Sequence, residues 1–212
     1  MSASRRGPTL AEATAEVARR EPAFARLIDL HGPIRLGPRT PVAERFEVLA
    51  RSIAFQQLAG AAARTIWGRA RALVDGPFTP DAVLALDESD LAGAGLSGAK
   101  RAALVDLALH VVDGRVELGR MGRMADADVV DELVQVRGIG TWTAEMFLLF
   151  TLRRPDVWPV TDLGVRNGWA RTFGSPAAPT PKELDALGQR FRPHRSVVAW
   201  YCWRACDTVV PG

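Results

Sequence analysis

The stretch LVQVRGIGTWTAEMFLLF, residues 133–150, sets two apolar segments on either side of a four-residue break. Leu133, Val134 and Val136 close one apolar helix, and Arg137-Gly138-Ile139-Gly140 is too short and too glycine-rich for anything but a tight turn. Thr141 then opens a second helix whose apolar face runs through Met146, Phe147 and Phe150. Glycines at 138 and 140 permit positive φ and let the backbone come close to another surface. Amides in a turn that feeds a helix N-terminus form an anion site, and a DNA phosphate fits one. A G-x-G turn between helices is also a common structural device, so the turn alone leaves both readings open.

Helical periodicity continues on both sides of this hairpin. Apolar residues recur at three- and four-residue spacing over 8–20, 22–32 and 41–58. Further helices are predicted over 59–74, 79–87, 88–95, 97–114 and 126–136, then over 141–152, 161–174, 181–191 and 195–209. No run alternates in the way a sheet demands, so the fold class is all-α. Two connectors, 31–41 (HGPIRLGPRTP) and 153–160 (RRPDVWPV), read as boundaries.

Composition narrows the chemistry. Hydrophobic residues make up 48% and charged residues 24% of 212, as in ordinary globular proteins, and the net charge of +3 permits a nucleic-acid partner. No run approaches the roughly 18 to 20 apolar residues that span a bilayer, and the first residues lack a secretory h-region. A cytoplasmic protein without membrane contact is expected, associated with the nucleoid if bacterial. Lys100 and Lys182 are the only lysines, which leaves few amines for a Schiff base. Cys202 and Cys206 lie four apart on one helical face, either as half of a metal site or as buried thiols, and two cysteines cannot hold an iron–sulfur cluster.

Taken with its surroundings, the hairpin resembles that of the helix-hairpin-helix (HhH-GPD) DNA glycosylase superfamily, in its 3-methyladenine DNA glycosylase II branch. A helix, G-I-G and a helix beginning TWTA carry the first part of the resemblance. DVWPVTDLGVRNG (156–168) is similar to the segment holding that family's essential aspartate, and Asp162 lies 22 positions after Gly140. SIAFQQLAGAAARTIWGR (52–69), LAGAGLSGAKRAALVDLA (91–108) and RSVVAWYCW (195–203) resemble further family blocks.

The resemblance implies two helical subdomains flanking a DNA-binding cleft: 41–159 with the hairpin, and 1–40 plus 160–212 with the aspartate. It implies a monofunctional glycosylase that flips alkylated purines (3-methyladenine, 7-methylguanine) from double-stranded DNA and hydrolyses the glycosidic bond, working as a monomer. Asp162 is the implied catalytic carboxylate; at a helix start it also reads as an N-cap, and the two roles are compatible. Asp156, ahead of Trp158-Pro159, is expected to be structural, and an extended Pro159-Val160 segment is expected to deliver Asp162. Lyase members carry a lysine where this chain has Trp142, so no strand nicking is expected.

Gln56, Gln57 and Leu58 match the loop that probes the minor groove, with Leu58 either the inserted wedge or a core residue. Arg137, Gly138, Ile139, Gly140, Thr141 and Thr143 are the implied phosphate contacts. The carbonyls of Val134, Val136 and Ile139 would hold a monovalent Na+ or K+, with no other cofactor. Trp142, Trp200 and Trp203 are candidates for a pocket that attracts cationic bases, or else core residues, and Met146 stands where relatives have a pocket tyrosine. A uracil- or hypoxanthine-directed enzyme of the same fold, or a non-catalytic hairpin module that binds DNA, are the competing readings.

Overall fold

The structure is a computed structural model that describes residues 8–206. Among the described residues twelve α-helices form and no strand occurs. None of these helices is long and apolar enough to cross a membrane. The chain divides into two compact units, Arg39–Leu152 and, together, Met1–Pro38 and Arg153–Gly212.

In the discontinuous unit, α1 (Leu10–Arg20) and α2 (Pro22–His31) precede the first boundary, and α10 (Leu163–Phe173), α11 (Pro181–Gly188) and α12 (Arg195–Ala205) follow the second. Local rules start these helices. Thr9 and Thr180 each form a capping box, with Glu12 and Glu183, and prolines 22 and 181 occupy first-turn positions where no amide partner is lost. The core is aromatic. Phe24 meets the rings of Phe191, Phe173 and Trp169 at 5.4, 5.9 and 6.0 Å between centroids, and the Trp158 indole donates to the Leu184 carbonyl at 2.9 Å. Burying each such ring contributes roughly 1.5–3 kcal/mol.

Helix α12 is the axle of this unit, with residues 195–203 all buried. It passes so close to α10 that a Cβ on Gly168 would lie 1.9 Å from the Cys202 carbonyl oxygen. Only a residue without a side chain permits that approach.

The other unit holds α3 (Arg45–Phe55), α4 (Gly60–Arg71), α5 (Pro80–Leu84), α6 (Glu88–Gly93), α7 (Gly98–Val112), α8 (Asp126–Leu133) and α9 (Thr141–Met146). Phe46, Leu49, Ile53, Phe78, Leu104, Leu107, Leu133 and Leu149 form its core. The apolar run after α9 winds as a π-helix over Phe147–Thr151, closed by Leu152 N–H to the Phe147 carbonyl at 3.0 Å.

Over the described residues the predicted helices are all present, several of them shorter, and residues 207–209 of the last predicted span lie outside the described residues. The span 41–58 is a 3-10 turn plus α3, because the chain breaks at Gln57, which takes a φ of +54°. The second boundary falls after Leu152 and not after 159. The reason lies in residues 154–158, which are fastened to the start of α12: Ser196 bonds both Arg154 and Val157, and Asp156 pairs with the buried Arg195 at 2.8 Å. Asp156 is therefore structural, as its position implied.

Gly168→Ala is expected to force α10 and α12 apart and to cost about 3 kcal/mol; a urea-unfolding midpoint equal to the wild type would contradict this packing.

Candidate active site

Asp162 is the N-cap of α10. Its Oδ1 accepts the Val165 amide at 2.8 Å and the Trp203 indole N–H at 2.9 Å. Two donors from different helices thus fix the plane of one half-buried carboxylate. The segment that delivers it is not extended as expected. Val160 N–H reaches the Trp158 carbonyl at 2.9 Å and Asp162 N–H reaches that of Pro159 at 3.0 Å, so the chain closes a turn before the helix begins.

Gly164 makes room for this arrangement. A Cβ there would lie 2.8 Å from Trp203 Cδ1 and 3.1 Å from Asp162 Oδ1. Behind it, the half-buried Cys206 donates its thiol to the Gly164 carbonyl at 3.6 Å. Cys202 is fully buried, and burial pushes its thiol pKa well up, with Cys206 and Asp162 adding to the shift. No group of three or more metal-ligating side chains occurs among the described residues.

The candidate aromatics differ in placement. Trp203 is 1% exposed, so its ring is part of the interior and its polar edge serves Asp162. Trp200, one turn earlier, is also buried and lies edge-on to Tyr201 at 4.9 Å. For both, the structure favours the core alternative. In the other unit Trp142 is 41% exposed at the start of α9, with the buried Met146 one turn further on.

The hairpin forms where the sequence places it. Val136 N–H to Leu133 and Ile139 N–H to Val136 close the turn at 3.1 and 3.0 Å, and Gly138 takes a φ of +78°. Ile139 is buried as the anchor, while Arg137, Gly138, Gly140 and Thr141 are exposed. Gly140 is the N-cap of α9 and has no side chain to bond the first-turn amides. Thr143 is buried, unlike Arg137, Gly138, Gly140 and Thr141. The Val136 carbonyl spends one lone pair on Ile139, and Val134 is exposed.

Three contacts that local sequence does not announce hold the turn. The Asp106 carboxylate on α7 accepts the Arg137 amide at 2.7 Å, and the Gln56 amide donates to the Gly138 carbonyl at 2.8 Å. A Cβ on Gly138 would sit 3.2 Å from that of Ala103, so α7 presses directly against the turn. Gln57 and Leu58 are exposed, Leu58 by 38%. Leu58 is therefore no core residue.

A helical fold, a glycine hairpin and a capped aspartate at this spacing define a class. The chain belongs to the HhH-GPD superfamily of base excision DNA repair proteins, whose family model matches residues 50–193. Among particular proteins, it is similar to DNA-3-methyladenine glycosylase 1 of Schizosaccharomyces pombe, 32% identical over 184 residues that cover 85% of this chain and 81% of the relative. The solved structure of that organism's 3-methyladenine DNA glycosylase (Mag1) in complex with abasic DNA superposes with a TM-score of 0.82 at 30% identity, covering 93% of this chain and 97% of the other. A DNA-3-methyladenine glycosidase from Bacillus halodurans gives a TM-score of 0.84 at 30% identity, over 92% and 89% of the two chains.

Trp203→Phe removes the indole N–H and, with it, the five-membered ring of a fully buried side chain. The lost hydrogen bond to a carboxylate and the cavity together are expected to cost about 3 kcal/mol in urea unfolding, and a change below about 0.5 kcal/mol would contradict this placement of the ring.

Proposed function

We propose that the protein is a monofunctional DNA glycosylase that flips alkylated purines of the 3-methyladenine and 7-methylguanine type out of double-stranded DNA and hydrolyses their glycosidic bond. The observation that carries this reading is the Asp162 carboxylate, oriented by Val165 and Trp203 at the head of α10. Supporting it are the family membership and the names of relatives about 30% identical over most of the chain.

Cleaving an N-glycosidic bond builds positive charge on the sugar. A carboxylate held in one orientation stabilises that charge without reorganising, and its second oxygen can orient the attacking water. An N-alkylated purine is cationic. The electron pair of the breaking bond neutralises it, so the base leaves without being protonated first. Water adds at the vacated sugar carbon and gives up a proton, and an abasic site remains.

The hairpin supplies the grip. Exposed Arg137 and the uncapped first turn of α9 suit a phosphate. Neutral carbonyls of Val134, Val136 and Ile139 are hard donors suited to Na+ or K+, which would add positive charge beside that phosphate. Exposed Leu58 suits insertion where the base has left. Exposed Trp142 offers an indole face to a cationic base, an attraction of roughly 0.5–2 kcal/mol.

The hairpin, residues 133–150, carries no amine for strand cleavage. Trp142 occupies the position where lyase members carry lysine, and the Lys100 ammonium caps α3 by donating to the Ala54 carbonyl at 2.7 Å. The protein acts as a monomer.

Chromatography of bases released from methylated DNA is expected to show 3-methyladenine and 7-methylguanine. Asp162→Asn retains an oxygen for both donors, so it should fold normally and lose activity by about 100-fold or more. Equal activity in that variant, or uracil or hypoxanthine as the chief base released from deaminated DNA, would overturn the assignment. Borohydride is expected to trap no protein–DNA adduct; a trapped adduct would show lyase chemistry.

A further inference from the structure

The loop Gln56-Gln57-Leu58 is expensive to hold in shape. Gln57 takes a φ of +54°, a left-handed conformation that costs a side-chain-bearing residue on the order of 1–3 kcal/mol. Such a loop relaxes unless its surroundings fix it. At its start, the Lys100 ammonium of α7 holds the Ala54 carbonyl. Next along, the Gln56 side chain leaves the loop and donates to the carbonyl of Gly138, the hairpin residue with positive φ. The hairpin is itself fastened to α7, through Asp106 on the Arg137 amide and through Ala103 against Gly138. Loop and turn thus share one mount, and the Gln56 amide joins them directly.

We propose that Gln56 is a positioning residue for base extrusion: its side-chain amide braces the Leu58 loop against the hairpin turn. This rests on the glycosylase reading above and changes the role that the sequence implied for Gln56, from touching DNA to stiffening the element that does. The mechanical reason is direct. Extruding a paired base costs a few kcal/mol, and a side chain can push into a duplex only if its loop does not yield. The reaction to that push must reach the point where the protein grips the backbone. Gln56 carries it there over one hydrogen bond.

The brace matters only when a base must be forced from its partner. The test is single-turnover excision of a methylated purine, either paired in a duplex or placed opposite an abasic gap. Wild type is compared with Gln56→Ala and Gln56→Met, the latter close in length but lacking the donor, and with Leu58→Ala. Both Gln56 variants are expected to lose about tenfold on the paired lesion, the size of one lost hydrogen bond, and several-fold less on the unpaired one. Combined with Leu58→Ala, the loss should be no larger than for Leu58→Ala alone. Fluorescence of 2-aminopurine beside the lesion, read in an Asp162→Asn background, should rise less with the Gln56 variants. Equal losses on both substrates, no loss on either, or losses that add to those of Leu58→Ala overturn the proposal while leaving the glycosylase reading intact. Wild-type protein that releases no base even from the unpaired lesion defeats that reading, and this one with it.

Discussion

The contact between α10 and α12 is the constraint on which the candidate active site depends. Gly164 and Gly168 lie one turn apart on the face of α10 that meets α12, and each would collide with that helix if it carried a Cβ. Because they do not, Trp203 comes near enough for its indole to reach Asp162. The helix start alone would give the carboxylate one donor; the close crossing adds a second from 41 residues away. Packing and chemistry therefore share the same atoms. A change that separates the helices would take the Trp203 donor away from the carboxylate.

The other unit solves a different problem. A glycine-rich turn is flexible by nature, yet the phosphate recognition proposed for this one needs amides that point one way. The turn gains its rigidity from outside: Ile139 buried beneath it, Asp106 and Ala103 of α7 on one side, and Gln56 on another. The acidic Asp106 is spent on a backbone amide, which keeps its negative charge tied to the turn while Arg137 stays exposed.

Much of this was legible in the sequence because it obeys local rules. Helix starts follow from Thr-x-x-Glu and proline at the first turn, and the hairpin follows from two glycines between apolar segments. The capping role of Asp162 was readable from its place at the start of a periodic run. What was not legible depends on partners distant in the chain. Trp203 and Trp200 read as core or pocket, core the commoner fate of a tryptophan at helical spacing, because periodicity reports a helical face, not what covers it. Gln56 read as a DNA contact because its partner Gly138 is 82 residues away. The second boundary moved because the bonds of 154–158 to α12 cannot be inferred from a proline-rich connector. One signal in the sequence does point to a distant partner: glycines at 164 and 168 share a helical face, which implies a tightly packed neighbour.

The burial of Cys202 has a chemical outcome of its own. A thiol reacts with methylating electrophiles as the thiolate, and burial keeps this one in its protonated form. A protein that repairs alkylated DNA works amid the very reagents that cause the lesion. The thiol on the helix that crosses α10 is thereby shielded from methylation, which would otherwise add a methyl group to a fully buried side chain.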